Sequence, residues 1–361
     1  MSNLPSVSII IPCYNESDFI SECLKSVINS DYPQSKIEII IVDGLSTDST
    51  RDIINSYAKR YPFIKILNNP KRITPSALNI GIKAAKGEII IRLDAHASYS
   101  EDYISKCVKN LVEYEADNVG GTWTTVPRED TDIGRSIALT FSHPFGSGNA
   151  LYKTGRCSEP QWVDTVPFGC YRRALFEKIG YFDERLVRSQ DMEFNKRLSR
   201  AGGRILLVPE VTCDYYVRSD LKKYFAHNFS DGAWAIYPYR FAQEPMSLRH
   251  LAPLLFVSSA ITLLLLSLFS KVSRHLLVLF IGLYSLTNLC FSFMLSVKEK
   301  RFALLPLCFL SFITRHVGYG LGSLYALPRT VISYGFWQNR LISRCPTSGK
   351  NKIVLGKTDT Y

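Results

Sequence analysis

Short apolar runs alternate with stretches of helical spacing along the first two thirds of the chain. Val7–Ile11 is a continuous β-branched run, a polar break follows it, and apolar residues then recur at helical spacing from Phe19 to Val27. The same pattern predicts strands at Val7–Ile11, Ile37–Val42, Ile64–Leu67, Glu88–Leu93, Asn118–Val126 and Arg204–Val208. It predicts helices around Phe19–Val27, Ile53–Ala58, Thr74–Ala85, Arg173–Lys178 and Met192–Ala201. Strands that are apolar on both faces and alternate with helices indicate an α/β fold with a doubly wound sheet.

The last third of the chain is mostly apolar and carries few charges. It contains three apolar segments, Leu251–Ser270, Leu276–Ser296 and Ala303–Leu327. The first two are near the length that crosses a bilayer core of roughly 30 Å. The third has Arg315 and His316 near its middle, which makes a simple spanning helix costly. We therefore expect two crossings and a third segment that lies in the interface or re-enters the membrane.

These segments divide the chain into a catalytic domain at 1–245, a membrane region at 246–327 and a basic tail at 328–361. Met1–Ser6 has no basic region of the kind that opens a secretory signal, so the N-terminal domain is expected in the cytoplasm. A third crossing would place the basic tail outside, against the positive-inside tendency. The expected location is the inner or plasma membrane, as a multi-pass protein.

Charge and cysteine usage exclude some classes of partner. The formal net charge is +11, but the basic residues form no arginine-rich stripe or aromatic-interleaved motif, so no nucleic acid partner is predicted. A negatively charged membrane surface and a diphosphate substrate explain the excess better. The nine cysteines are scattered without a Cys-x-x-Cys pair, which favours reduced thiols and argues against a zinc site.

The loops after the predicted strands are the places where chemistry is expected. In open α/β sheets, ligands bind beyond the carboxyl ends of the strands, here at loops starting with Pro12, Asp43 and Asp94. A dinucleotide site would need a glycine-rich turn after the first strand, where Pro-Cys-Tyr-Asn-Glu stands instead. Residues 127–165 follow no clear period and are expected to include loops over the site.

Three strand-and-loop motifs carry a family resemblance. Ile9–Glu16, Ile39–Thr50 and Ile89–Ala97, taken in order, resemble the family 2 glycosyltransferases of the GT-A fold. The resemblance implies a nucleotide-sugar-binding domain with a mixed sheet, followed here by C-terminal hydrophobic membrane helices.

Later motifs are similar to one branch of that family, the succinoglycan-biosynthesis glucosyltransferases. They are Pro144–Asn149, Val163–Gly169, Gln190–Leu198, Ser247–His250 and Arg315–Gly322. Members of this branch add a sugar to a polyprenyl-diphosphate-linked saccharide during exopolysaccharide synthesis, and the resemblance implies that activity here.

A divalent metal, Mn²⁺ or Mg²⁺, is the expected cofactor because a departing diphosphate needs a Lewis acid. Asp94 ends a buried strand and can hold the ion, and His96 projects to the same side if the chain stays extended. The family usually has Asp-x-Asp here, so the imidazole tilts the preference toward manganese. A purely structural loop role for His96 stays open.

The first two loops are expected to hold the nucleotide of a UDP-sugar. The backbone around Pro12 and Tyr14 can face the base, and Glu16 can accept hydrogen bonds from ribose hydroxyls or simply charge a first helical turn. Asp43 resembles the family's base-contacting aspartate. Asp48 fits a ligand contact and a helix N-cap equally well.

One carboxylate suffices as general base when the anomeric configuration inverts in a single displacement. Asp191 matches the position of that base in the family, although Gln190 replaces the family's frequent glutamate. Glu193 is the other candidate for the general base, but helical geometry turns its side chain about 200° away from that of Asp191.

The sequence therefore predicts an inverting glycosyltransferase that moves a hexose, with glucose expected, from a UDP-sugar to a lipid-linked saccharide. Two alternatives stay open: transfer onto polyprenyl phosphate itself, and a catalytically inactive membrane scaffold that binds nucleotide.

Overall fold

The computed structural model describes residues 4–148, 150–240 and 248–332, without the side chains of residues 248 and 249. Its strands are β1 (Val7–Cys13), β2 (Ile37–Asp43), β3 (Ile64–Asn68), β4 (Ile89–Arg92), β5 (Ala97–Tyr99), β6 (Asn118–Pro127), β7 (Gln161–Trp162), β8 (Cys170–Arg172) and β9 (Ile205–Val217). Its helices within the N-terminal part are α1 (Ile20–Ile28), α2 (Thr50–Arg60), α3 (Thr74–Ala84), α4 (Tyr103–Glu113), α5 (Asp132–Ser142), α6 (Pro144–Ser147), α7 (Leu151–Thr154), α8 (Ala174–Ile179), α9 (Gln190–Arg200) and α10 (Leu221–Ile236). Three helices follow, α11 (Ala252–Ser267), α12 (Lys271–Lys298) and α13 (Leu304–Val331).

The described strands form one mixed sheet in the order β3-β2-β1-β4-β8-β6-β9-β5, and β7 pairs with β9. Strands β1 to β4 pair in parallel, β8 runs antiparallel to both β4 and β6, and β6 and β9 are parallel. Side chains alternate across the sheet, so Ile9 and Ile11 enter the core on one face while Ile10 enters the core on the other. The predicted α/β class with a mixed sheet is confirmed.

The strand register brings the predicted loops to one edge. Cys13 at the end of β1 lies opposite Asp43 at the end of β2, and β4 runs parallel on the other side of β1. The loops that follow β1, β2 and β4 therefore leave the sheet side by side, because parallel strands end at the same edge.

Several elements differ from the sequence expectation. Strand β9 continues to Val217, whereas the predicted strand ended at Val208. The pairing of β9 with β6 shifts at Gly121, so Pro209 lies in a bulge where a missing N–H is tolerated. Helices α4, α5 and α10 and the short strand β5 were not predicted, although Ile104, Cys107, Val108 and Leu111 of α4 recur at helical spacing.

Two C-terminal helices, α12 and α13, are long and apolar enough to cross a membrane by length and composition. At 1.5 Å per residue each spans about 42 Å, whereas α11 spans about 24 Å. The predicted first crossing, 251–270, is thus shorter than expected. The third segment, 303–327, forms one unbroken helix, and its membrane arrangement stays a prediction.

The polar residues that argued against a simple spanning helix in the third segment contact protein groups. The Arg315 guanidinium donates to the Gly146 carbonyl and to Asn228, and His316 Nε2 lies 2.8 Å from the Phe145 carbonyl. These contacts explain how a helix can carry both groups without exposing them to lipid.

Glycines on α10 and α13 bring the two helix backbones together. A Cβ added at Gly322 would lie 1.9 Å from the Phe229 carbonyl, and one at Gly232 would lie 1.9 Å from the Tyr319 carbonyl. No larger residue fits this crossing, so α13 is joined tightly to the N-terminal part. The predicted boundary at residue 245 and the basic tail from residue 333 onward lie outside the described residues.

Candidate active site

A cleft of about 570 Å³ opens at the carboxyl ends of β1, β2 and β4, between these loops and helices α9 and α10. Of the seven predicted site residues, six line it: Pro12, Tyr14, Glu16, Asp94, His96 and Asp191. The seventh, Asp43, is buried beneath the cleft and does not line it.

Arg92 joins the two carboxylates on which the predicted chemistry depends. Its Nη2 lies 2.7 Å from Asp94 Oδ1, and its Nη1 lies 3.0 Å from Asp191 Oδ2. The Arg92 side chain is only 8% exposed and packs against the Phe168 ring, so water screens these ion pairs little. The guanidinium therefore fixes the spacing of Asp94 and Asp191 and offsets their mutual repulsion.

Asp191 lies in the first turn of α9 and keeps one oxygen free. Its Oδ1 is buried and has no hydrogen-bond partner among the described residues. Burial and the nearby Asp94 raise the pKa of Asp191, while Arg92 opposes that rise. A buried carboxylate oxygen without a partner in a cleft is suited to accept a hydrogen bond and then a proton from a bound hydroxyl.

His96 is held between two side chains. Its Nδ1 lies 3.0 Å from Glu16 Oε1, and its Nε2 lies 3.2 Å from the Tyr215 hydroxyl. In the matching tautomer Nδ1–H donates to the carboxylate and Nε2 accepts from Tyr215. Glu16 also approaches Arg128 at 3.6 Å, so this loop acid has the His96 ring on one side and a guanidinium on the other.

The residues around Asp94 fit a divalent ion that takes further ligands from a substrate. Among the described residues, no group of three or more His, Cys, Asp or Glu side chains could hold a metal alone. Arg92 binds Asp94 Oδ1, and Asp94 Oδ2 forms no hydrogen bond within that part of the chain. One free carboxylate oxygen with phosphate and water ligands is typical of magnesium sites at phosphates. His96 Nε2 could join only if Tyr215 moved away.

The nucleotide end of the cleft is formed by the loop after β1. The Tyr14 ring lies beneath Arg72, whose Cζ is 5.6 Å from the ring centroid, and a Cβ at Gly44 would touch the ring at 3.0 Å. Asp43 binds Arg51 at 2.9 Å and accepts from the Ser46 hydroxyl at 2.6 Å. Its carboxylate thus orders the second loop, and its predicted contact with a base stays a prediction.

The two other candidate acids, Asp48 and Glu193, bind protein groups outside the cleft. Asp48 accepts from the backbone N–H of Thr50 at 3.1 Å and from that of Ser17 at 3.3 Å, so it binds backbone beside the start of α2, whose N-cap is Ser49. Glu193 pairs with Arg197 at 2.8 Å and does not line the cleft.

A basic cluster of Arg188, Arg218 and His227 lines the far wall of the cleft. Arg188 forms an ion pair with Asp231, and Arg218 Nη1 lies 2.6 Å from His227 Nδ1. Burial, reinforced by both arginines and opposed by Asp231, lowers the pKa of His227 to about 4, so the ring is neutral and accepts at Nδ1. Arg218 has no carboxylate partner among the described residues, and its charge is available to an anion.

Comparison with known proteins identifies the family. The sequence model of glycosyl transferase family 2 matches residues 8–180. A dolichyl N-acetyl-α-D-glucosaminyl phosphate 3-β-D-2,3-diacetamido-2,3-dideoxy-β-D-glucuronosyltransferase from Methanococcus voltae is 33% identical over 233 residues, which are 63% of this chain and 72% of the relative. The chain belongs to glycosyl transferase family 2. The succinoglycan biosynthesis protein ExoA of Rhizobium meliloti is 30% identical to this family 2 chain over 226 residues, 62% of the chain and 67% of the relative. The predicted resemblance to that branch is confirmed.

A solved structure supports the same fold. The mannosyltransferase PcManGT from Pyrobaculum calidifontis, in complex with GDP-mannose and Mn²⁺, superposes with a TM-score of 0.60 at 20% identity. The match covers 90% of this family 2 chain and 88% of that protein. The α/β domain is therefore GT-A-like.

Proposed function

We propose that this family 2 glycosyltransferase is an inverting enzyme that moves a hexose, with glucose expected, from a UDP-sugar to a lipid-linked saccharide during surface polysaccharide synthesis. The observation that carries this proposal is the buried Oδ1 of Asp191, which has no hydrogen-bond partner in the described part of the chain, while Oδ2 lies 3.0 Å from Arg92 Nη1. The alternative base, Glu193, is occupied by Arg197.

In the proposed reaction, the acceptor hydroxyl donates its hydrogen bond to Asp191 Oδ1 and loses its proton there as the oxygen attacks the anomeric carbon. The bond to the nucleotide diphosphate breaks on the opposite face, which inverts the configuration. The raised pKa of Asp191 makes its carboxylate a stronger base than an ordinary aspartate. Arg92 keeps Asp191 ionised and correctly placed.

Asp94, with His96 as a second ligand, would hold a divalent ion at the leaving diphosphate. A bound Mn²⁺ or Mg²⁺ supplies Lewis-acid stabilisation of the negative charge that develops there. Arg218 and Arg72 line the same cleft and can share that charge. Pro12, Tyr14 and Glu16, at and after the end of β1, also line this cleft, and the uridine would bind against them.

The family relatives support a lipid-linked acceptor. The Methanococcus voltae relative is named for transfer to a dolichyl-linked saccharide phosphate, and ExoA for succinoglycan biosynthesis. Much of α12 is apolar and exposed, which fits a helix in contact with lipid. We expect the helices to anchor the enzyme in the inner or plasma membrane with the cleft on the cytoplasmic side, facing a polyprenyl-linked acceptor.

The testing experiment uses membranes that contain the full chain, a panel of radiolabelled UDP- and GDP-sugars, native lipid extract, and Mn²⁺ or Mg²⁺. Label should enter the lipid phase from one UDP-sugar and only with metal. The Asp191→Asn variant should lower kcat by about 10²–10⁴-fold because it removes the general base. Glu193→Gln, a neutralised acid in the same helical turn, is the matched control and should stay close to wild type.

Other results would favour the alternatives. A product with one sugar on a single phosphate would indicate transfer onto polyprenyl phosphate itself. No transfer from any donor, with UDP binding intact, would indicate a catalytically inactive scaffold. Equal losses in Asp191→Asn and Glu193→Gln would contradict the assigned base.

A further inference from the structure

A second cavity, of about 650 Å³, lies between the N-terminal part and the C-terminal helices. It meets the catalytic cleft, because Ser189 and Asp231 line both spaces. Its outer wall is apolar and comes from α11 and α12, where the rings of Phe256 and Tyr284 pack with centroids 4.5 Å apart. The cavity therefore connects the neighbourhood of Asp191 with the helices expected in the membrane.

Lys153 is a partly buried cation that lines this cavity. Its Nζ lies 4.4 Å from the centroid of the Phe141 ring and 5.5 Å from that of Trp123. It forms no ion pair with a carboxylate of the described residues. Burial and the nearby Arg315 lower the pKa of Lys153 to about 7, against the opposing effect of Asp231. A cation in such surroundings gains more from a bound anion than a solvated lysine does.

Arg315 is a second cation at the same wall. Its guanidinium is held by the Gly146 carbonyl, by Tyr224 and by Asn228, all neutral groups, so its charge is not offset by a carboxylate within the described chain. Two acids line the cavity, Asp164 and Asp231, and Asp231 is already paired with Arg188. The cavity thus combines two cations at its inner end with an aromatic wall at its outer end.

We propose that this second cavity binds the phosphate-linked end of the acceptor lipid. The phosphate oxygens contact Lys153 and Arg315, the first isoprene units lie along Phe256 and Tyr284, and the saccharide extends past Ser189 to Asp191. The proposal rests on the proposed function and names where its acceptor binds. The occupant is a prenyl diphosphate, because an apolar wall beside unpaired cations matches neither a free anion nor a plain hydrocarbon.

The test measures binding of farnesyl diphosphate to the detergent-solubilised full chain by calorimetry, beside inorganic diphosphate and farnesol. Farnesyl diphosphate should bind at least about tenfold more tightly than either comparison compound, since only it uses both ends of the cavity. Lys153→Met should weaken its binding by about tenfold or more, because a charge-assisted contact is lost. Lys153→Arg should restore most of the affinity, and Lys178→Met, at an exposed lysine, should have no effect.

Unchanged binding in Lys153→Met, or equal affinity for farnesyl diphosphate and inorganic diphosphate, would overturn the proposal. UDP binding, measured in the same samples, should not change in Lys153→Met, which separates a local loss from misfolding. If wild-type enzyme transfers sugar to native lipid while Lys153→Met keeps its acceptor KM, this inference fails and the proposed function stands. If the wild-type enzyme transfers sugar to no lipid at all, the proposed function fails, whether or not farnesyl diphosphate binds.

Discussion

Replacement of Arg92 by methionine should shift the pH dependence of catalysis to higher pH, in addition to any fall in the catalytic rate. Arg92 is the only group of the described chain that pairs with Asp191, at 3.0 Å, and it also holds Asp94 at 2.7 Å. Without the guanidinium, burial and the charge on Asp94 both raise the pKa of Asp191 unopposed. Asp191 accepts the proton only when ionised, so activity should then appear at a higher pH than in wild type.

The magnitude follows from the geometry. An arginine this close to an aspartate lowers its pKa by about 1–3 units, and each unit corresponds to about 1.4 kcal/mol. The acid limb of kcat/KM should therefore move up by about one to three pH units in Arg92→Met. Removal of one partner from a buried ion pair also lowers the free energy of unfolding, by about 3–5 kcal/mol. Arg92→Lys keeps the charge but cannot reach both carboxylates in a fork, so its shift should be smaller.

The assay is kcat/KM from pH 5 to 9 at saturating metal, which reports the pKa of the free enzyme's base. Arg173→Met, at an exposed arginine of the same domain, serves as the matched control. Arg92→Lys keeps the test possible if Arg92→Met does not fold. A uniform fall in kcat/KM with the acid limb unmoved in a folded Arg92 variant would refute the proposed link between this guanidinium and the base.

Three further predictions concern the metal, the diphosphate and the helix crossing. Tyr215→Phe frees Nε2 of His96 and should lower the Mn²⁺ concentration needed for half-maximal activity; an unchanged or higher requirement would argue against His96 as a ligand. Arg218→Met should raise KM for the UDP-sugar by about tenfold or more, since a charged contact to phosphate is lost. An unchanged KM in steady-state assays would show that Arg218 does not contact the donor phosphates. Gly322→Ala should destabilise the protein by about 1–3 kcal/mol in thermal unfolding, whereas Gly282→Ala, where a Cβ meets nothing within 4 Å, should not; equal effects would contradict the crossing.

The strands and the loops at their ends could be predicted because local sequence determines them. A run such as Ile9–Ile11 is compatible with few structures other than a buried strand, and the next loop then falls at the edge of the sheet. Six predicted residues accordingly line one cleft. Asp43 was placed correctly at its strand end, but its burial beneath Arg51 and Ser46 depends on how the loop folds back.

The residues that sequence reasoning missed act through distant partners. Arg92 stands inside an apolar run, and only the three-dimensional structure shows that both carboxylates lie within its reach. A buried arginine between an isoleucine run and a predicted metal ligand was a signal that could have been used, because such a charge needs partners. Arg188 and Asp231 meet across 43 positions of sequence, and no local pattern predicts that contact.

The glycines of α13 allow this helix to pack closely against α10. Gly322 lets the α13 backbone lie against the Phe229 carbonyl of α10, and Arg315 on the same helix reaches the Gly146 carbonyl. Since α10 also carries Asp231, which lines the catalytic cleft, one rigid crossing sets the position of both cavities. A substitution that separates these helices should therefore raise the KM for a lipid-linked acceptor more than the KM for the UDP-sugar, because the donor residues at and after the ends of β1 and β4 lie outside the crossing.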